Sequence, residues 1–371
     1  MSSIAFVIRK NQGESEYYHS NVKPFVDLSL GLTNIEFKSI IFIHEDEKLL
    51  LKKILNMTKG SVDIVIFNDS NFENKISEVA PEYIMVEDDL NYMTKIVRLK
   101  GYSIKKIVFV QYLFGVNTNN KVKRKKSLKL TLGSFFPWSF IIQHYRRLLS
   151  QFDYIISNSQ TCGYLLRQFY DLPVSGIVYP PVGVDMRSLL DSSLPSIDKR
   201  GILAFVGDIK NDYFLRDIPK ELAKLKTRLD ESVRLFASEP ITASFFRKLG
   251  FDVYDKLSVE KLVSLMQSSK VTYVPTAYEL FGYVGAESVL CGTPVILDSY
   301  HPFIEKLPSE SKSVTITNPK SDLAEIVTQL LNTNIEMDQA KKAVFYHYSA
   351  EQSARSLISI LKNEIVLFQN Q

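Results

Sequence analysis

The chain has 371 residues, 45% of them hydrophobic and 23% charged, which is too long for one ordinary domain and too apolar for a disordered chain. Its two cysteines, Cys162 and Cys291, lie far apart and suit neither a disulfide framework nor a metal site, so a reducing, cytoplasmic setting is expected. The net charge of +4 hides an uneven distribution: Leu90 to Gln151 holds thirteen Lys and Arg and no Asp or Glu, which implies an anionic partner for that block alone.

The opening MSSIAFVIRK has a single short apolar run before Arg9, too short for a signal-peptide core or a membrane span. Apolar runs then recur: IAFVI (Ile4 to Ile8), SIIFIH (Ser39 to His44), VDIVIF (Val62 to Phe67), EYIMVE (Glu82 to Glu87), KIVFVQY (Lys106 to Tyr112) and FDYIISNS (Phe152 to Ser159). Short runs rich in Ile and Val, apolar on both faces, are the pattern of buried parallel strands. Helix-like segments such as VKPFVDLSLGL and EKLLLKKIL separate them, and the alternation predicts a doubly wound α/β domain. A linker follows, with Pro180, Pro181, Gly183 and Pro195 and no sustained period. The alternation then restarts with ILAFVGD (Ile202 to Asp208), VRLFAS (Val233 to Ser238), VTYVPT (Val271 to Thr276), PVILDS (Pro294 to Ser299) and SVTIT (Ser313 to Thr317), which predicts a second Rossmann-like domain.

The segment VPTAYELFGYVGAESVLCGTPVI carries the most chemistry. Glu279 lies on the loop leaving the strand VTYVP, and Glu287 follows after seven residues inside a helix start. Between them Phe281, Gly282, Tyr283, Val284 and Gly285 form a glycine-containing turn running into that helix. Such a turn offers unpaired N–H groups and the positive end of the helix dipole, a seat for a diphosphate. A carboxylate one turn into the helix can accept from ribose hydroxyls, and one on the loop before it can reach a sugar. Solvated glutamates around an ordinary turn are the competing reading.

The whole segment resembles the donor-binding signature of family-4 glycosyltransferases, retaining enzymes of the GT-B fold, with Cys291-Gly292-Thr293-Pro294-Val295-Ile296 nearly verbatim. The resemblance implies two Rossmann-like domains with parallel sheets facing an interdomain cleft. An acceptor domain would cover residues 1–184 and a nucleotide-sugar donor domain 185–349, with a C-terminal helix in about 350–371 crossing back to the first domain. It implies that Glu279 contacts the donor sugar and Glu287 the ribose, with Phe281, Gly282, Tyr283 and Val284 around the diphosphate. Leu280 stands where the family usually has Gly, which leaves the donor sugar open.

Further segments fit less closely. FDYIISNSQTCGYLLRQFYDLPVSGIVYPPVGVD (Phe152 to Asp185) looks like the end of the family's first domain, and Ser157 or Ser159 reads as a helix N-cap. FVGDIKNDYFLRD (Phe205 to Asp217) occupies the place of the family's phosphate clamp, with Gly207 at the strand end, Asp208 where an Arg is usual, and Lys210 and Arg216 as the available cations. A cation there would neutralise the leaving diphosphate; a solvated loop is the alternative. Phe251 to Leu257 looks like the base-binding loop, with a helix from near Ser258. In the first domain Gly13 fits a loop approached by the donor, and an ordinary turn fits it as well. Gln111 lies where relatives place a His and would hydrogen-bond the sugar, while His144 reads as a helix-surface residue.

KVKRKKSLK packs Lys121, Lys123, Arg124, Lys125, Lys126 and Lys129 into nine residues, and LGSFFPWSFIIQHYRRLL follows with Phe135, Phe136, Trp138 and Phe140. Cations beside bulky aromatics suit the headgroup region of an anionic membrane or an acceptor held there. A solvated loop over a buried cluster and a nucleic-acid surface compete with it; no nucleic-acid module accompanies the block. The expected function is therefore retaining, metal-independent transfer of a hexose-type sugar from a nucleotide-sugar, a co-substrate with no resident cofactor. The acceptor would be a glycan or lipid-linked molecule at the cytoplasmic membrane face. A catalytically silent subunit and a basic membrane or nucleic-acid adaptor stay open as alternatives.

Overall fold

The computed structural model describes residues 2–8, 22–99, 103–111, 138–186, 189–190, 199–207, 214–229, 231–237, 239–255, 257–277 and 279–363. The chain divides into two compact units, Met1–Pro181 with Ser349–Gln371, and Val182–Tyr348. The junction expected from sequence lay slightly later. Val182 sits with the second unit because its N–H donates to the Tyr348 carbonyl at 2.8 Å.

In chain order the first unit contains β1 (Ser3–Val7), α1 (Lys23–Asn34), β2 (Lys38–His44), α2 (Lys48–Thr58), β3 (Asp63–Phe67), α3 (Phe72–Val79), β4 (Tyr83–Glu87), α4 (Leu90–Arg98), β5 (Lys105–Val110), α5 (Trp138–Leu149), β6 (Tyr154–Ser157), α6 (Gln160–Tyr170) and β7 (Gly176–Ile177). The second unit follows with β8 (Ile202–Val206), α7 (Ile218–Arg228), β9 (Val233–Ala237), α8 (Pro240–Lys248), β10 (Asp252–Tyr254), α9 (Val259–Gln267), β11 (Val271–Val274), α10 (Tyr283–Leu290), β12 (Val295–Leu297), a short 3₁₀ turn (Pro302–Lys306), β13 (Val314–Ile316), α11 (Leu323–Leu331) and α12 (Asp338–His347). The final helix, α13 (Ala350–Leu361), returns to the first unit.

Both sheets are parallel throughout. The first runs β3-β2-β1-β4-β5-β6-β7 and the second β10-β9-β8-β11-β12-β13. The strands are covered on both faces, which is why they read as unbroken apolar runs: Ile4 to Val7, Ile40 to Ile43 and Ile202 to Val206 are all buried. Each order reverses once, between β1 and β4 in the first sheet and between β8 and β11 in the second. Such a switch point opens a crevice beyond the carboxyl ends of the strands, where doubly wound sheets bind ligands.

Local chemistry sets the helix starts. Asp89 caps α4 by accepting from the Asn91 and Tyr92 N–H groups at 3.0 and 3.2 Å. Ser159 caps α6 through Cys162 N–H at 3.0 Å, and Ser258 caps α9, so both serines act as caps. Helix α13 packs on α1 at Gly31, where an added Cβ would lie 2.1 Å from the Ala350 carbonyl oxygen. Leu357 and Leu361 join the first core there with Phe25 and Leu32. The expected base-binding loop instead contains an edge strand: Asp252 to Tyr254 pair with β9.

Candidate functional site

The switch point of the second sheet is built from the chain after β8 and the chain after β11. Gly207 directly follows β8, and Phe214 returns to form an isolated antiparallel bridge with Thr276, beyond the end of β11. Glu279 lies a few residues further on and is half-buried. Leu280 and Phe281 are buried, and the Phe281 ring meets Tyr283 and Tyr348 edge-on at 5.1 and 5.2 Å.

The chain then turns sharply into α10. Gly282 occupies the N-cap position at φ +94°, a left-handed conformation that a side chain disfavours. The first backbone bond of the helix runs from Ala286 N–H to the Gly282 carbonyl at 3.2 Å. The N–H groups of Tyr283, Val284 and Gly285 therefore precede the helical ladder and lie at the positive end of its dipole. Glu287 is buried in the next turn, and its carbonyl accepts from Cys291 N–H at 2.9 Å. Burial, followed by the Glu287 charge, raises the Cys291 thiol far above its ordinary value and keeps it a neutral core group.

A second layer supports this turn. An added Cβ on Gly282 would lie 2.8 Å from the Cβ and Nδ1 of His301, and one on Gly285 would lie 2.5 Å from the Phe303 ring. Phe303 N–H donates to the Phe281 carbonyl at 2.9 Å, and the Tyr348 hydroxyl donates to the Phe303 carbonyl. His301 is fully buried, its Nε2 is 3.2 Å from the Thr276 hydroxyl, and burial lowers its pKa to about 4. The imidazole is thus neutral at pH 7.

Arg216 does not stand free at the phosphate position. Its Nε donates to Asp298 Oδ1 at 2.9 Å, Nη1 to the Ser321 carbonyl at 2.6 Å, and Nη2 to Thr317 Oγ1 and the Asn318 carbonyl at 3.0 and 2.6 Å. The same carboxylate accepts from the Tyr273 hydroxyl at 2.7 Å and from Thr317 Oγ1 at 2.8 Å. Four of the five guanidinium N–H donors are engaged inside the unit, which removes Arg216 as the expected phosphate cation. Lys210, the other candidate, lies outside the described residues, as do Gly13, Lys121, Lys123, Arg124, Lys125 and Lys126. Trp138 opens α5, and its side chain is likewise outside the description.

In the first unit Gln111 follows β5 and is buried. Its N–H donates to Asp88 Oδ1 at 2.8 Å, and its side-chain nitrogen has no partner among the described residues. Tyr145 donates to the other Asp88 oxygen at 2.8 Å, and burial followed by the Asp88 charge raises its hydroxyl well above the ordinary value. His144 is exposed on α5. Sequence reasoning passed over Asp88, Asp298, Thr317 and His301. Asp88, Asp298 and Thr317 share one signal, a polar residue just beyond the end of an apolar strand run, whereas His301 precedes the 3₁₀ turn after β12.

Structures of very different sequence share this architecture. A glycosyltransferase from Rickettsia africae aligns over 100% of this chain and 99% of its own, with TM-score 0.68 and 12% identity. A point mutant of S. aureus TarM, solved with fondaparinux, α-GlcNAc-glycerol and UDP, aligns over 97% of this chain and 99% of its own, with TM-score 0.68 and 10% identity. The fold is that of the GT-B glycosyltransferases. Within this GT-B chain, residues 248–352 match the family described as Glycosyl transferases group 1, a range that includes Glu279, α10 and Glu287. An uncharacterised glycosyltransferase of Methanocaldococcus jannaschii is 25% identical over 183 residues, 44% of this chain; the match spans 45% of that relative's length. Among the described residues no helix is long and apolar enough to cross a membrane.

Proposed function

We propose that the chain is a retaining hexosyltransferase that uses a nucleotide-sugar and passes the sugar to a glycan or lipid-linked acceptor. The observation that carries the reading is the glycine-capped start of α10 at the switch point, with Glu279 before it and Glu287 one turn inside it. The three leading N–H groups and the helix dipole suit a diphosphate, and the neutral His301 behind them adds no competing charge. Glu287 then accepts from the ribose hydroxyls and Glu279 from the donor sugar. The group 1 match over this segment supports the assignment, and TarM, with UDP and α-GlcNAc-glycerol bound, supports a nucleoside diphosphate as leaving group.

In the proposed step the acceptor oxygen bonds to the anomeric carbon on the face from which the diphosphate departs. The bond from that carbon to the phosphate oxygen breaks, and the same oxygen takes the acceptor's proton. Retention rests on the resemblance of Val274 to Ile296 to the family-4 donor signature. The reading includes no resident cofactor and no metal. It places the enzyme at an anionic cytoplasmic membrane face through Lys121 to Lys129, with no nucleic-acid partner.

The deciding experiment is a thermal-shift panel of UDP, GDP, ADP and their common sugar conjugates, in EDTA, on wild type and Glu287→Ala. A ligand at 100 times its Kd stabilises by about 2.7 kcal/mol, a readily visible shift. A selective shift that the mutant loses supports the reading. A wild type indifferent to every nucleotide rejects it.

A further inference from the structure

The Arg216–Asp298 pair is nearly dry, with side-chain exposures of 3% and 0%. Such a pair is a poor device for stability alone, because the desolvation of both charges offsets most of their attraction and apolar replacements often serve as well. What distinguishes this pair is its connections. Arg216 arrives on the chain leaving β8, Tyr273 belongs to β11, Asp298 follows β12 and Thr317 follows β13, so one network joins the carboxyl ends of four strands. Ser299, next to Asp298, and Phe214, two residues before Arg216, both grip Thr276. Phe214 bridges to it through backbone, and the Ser299 hydroxyl donates to its carbonyl at 2.8 Å. Thr276 in turn leads to Glu279 and holds His301 beneath Gly282.

We propose that Arg216 and Asp298 are a positioning unit that fixes the segment carrying Thr276 and Glu279 against the turn into α10. The proposal rests on the donor-site reading above. The planar guanidinium fixes four directions at once: toward Asp298, Thr317 and the carbonyls of Asn318 and Ser321. A lysine keeps the charge and loses that fork. Displacements of about 1 Å in such supports cost on the order of 100-fold in rate.

The test compares wild type with Arg216→Lys, with the apolar double variant Arg216→Met/Asp298→Leu, and with the mild Thr317→Val. Three quantities are read: melting temperature, hydrogen–deuterium exchange of peptides spanning 271–287, and steady-state release of nucleoside diphosphate from UDP-glucose, GDP-mannose and ADP-glucose. The double variant is expected to stay folded but to melt a few degrees below wild type, because two apolar side chains replace the pair while the buried Tyr273 hydroxyl loses its acceptor. Its exchange across 271–287 should still rise at least ~10-fold, with kcat falling by on the order of 100-fold and KM changing little. Thr317→Val should move exchange in the same direction by less, and it decides the matter if the double variant does not fold. Arg216→Lys should follow the double variant in kcat despite its retained charge. Wild-type exchange in the double variant and in Thr317→Val, or wild-type kcat in a stable double variant, overturns the proposal. A wild type that releases no nucleotide from any donor defeats the donor-site reading instead, and exchange still decides the positioning claim.

Discussion

Gly282→Ala is the sharpest single perturbation of the proposed donor turn, because its cost divides into two parts that a control separates. At φ +94° an alanine pays for a left-handed backbone, about 1–2 kcal/mol, offset in part by about 0.4–1 kcal/mol of reduced unfolded-state entropy. Its methyl would also lie 2.8 Å from the Cβ and Nδ1 of His301. That ring has little freedom to retreat: Nε2 is 3.2 Å from the Thr276 hydroxyl, and Phe303 N–H holds the following turn to the Phe281 carbonyl. Overpacking of this kind costs about 1–3 kcal/mol. Gly292 supplies the control within the same unit. It has φ +78°, and the nearest contact of an added Cβ, Lys341 Cδ, lies at an ordinary 3.7 Å. Gly292→Ala should therefore cost about 1 kcal/mol and Gly282→Ala about 3 kcal/mol by urea denaturation followed by circular dichroism. The difference of about 2 kcal/mol corresponds to about 4–8 °C in melting temperature for a domain of this size. Equal costs for the two variants would refute the packing argument, since backbone strain would then explain both.

Two further outcomes are expected. Burial lowers the His301 pKa from 6.5 to about 4, so between those values the unfolded chain binds a proton that the folded chain refuses. Stability from this group is complete above pH 6.5 and declines as pH falls toward 4, by about 3 kcal/mol at most; His301→Gln should flatten that part of a stability-versus-pH curve. If the basic block holds an anionic surface, wild type should sediment with phosphatidylserine liposomes in a salt-sensitive way. Changing Lys121, Lys123, Arg124, Lys125 and Lys126 to Gln should weaken binding by more than ~100-fold at about 1 kcal/mol per cation, and salt-independent or absent sedimentation would remove the membrane from the reading.

What could be read from sequence depended on how local the cause was. Strands β1, β2, β4 and β8 were legible because burial on both faces demands continuous Ile, Val and Phe, whatever their partners. Ser159 was legible as a cap, and the helix start near Ser258 was legible too, because the acceptor role of a capping serine reaches only three residues ahead. Strand β10 was not, since its three residues sit on a sheet edge with little burial and look like a loop. Arg216 shows the limit most clearly. A cation near a glycine-containing loop suggests a phosphate ligand, but its partner Asp298 is 82 positions away and no spacing rule joins them. The glutamate pair and the glycine turn were visible together because they share one loop–helix junction. The support beneath them, from His301 and Phe303, comes from the next crossover and becomes visible only in three dimensions.

The buried polar residues at the strand ends, Gln111 among them, share a physical logic that extends the sequence argument. Asp88 lies just beyond β4, Gln111 directly follows β5, Asn158 follows β6, and in the second sheet Asp298 and Thr317 follow β12 and β13; every one is buried. A buried polar group left without partners costs about 1–3 kcal/mol, so a row of them at one end of a sheet persists only where a network or a ligand satisfies it. Here the second sheet closes that network around Arg216, and the described network of the first binds Asp88 between Gln111 and Tyr145 while leaving the Gln111 amide nitrogen without a partner among the described residues. An apolar strand run that ends on Asp, Gln, Asn or Thr is therefore a stronger pointer to a site than any of those residues alone. It marks where the chain accepts desolvation at the carboxyl ends of parallel strands, the edge at which such sheets meet their ligands.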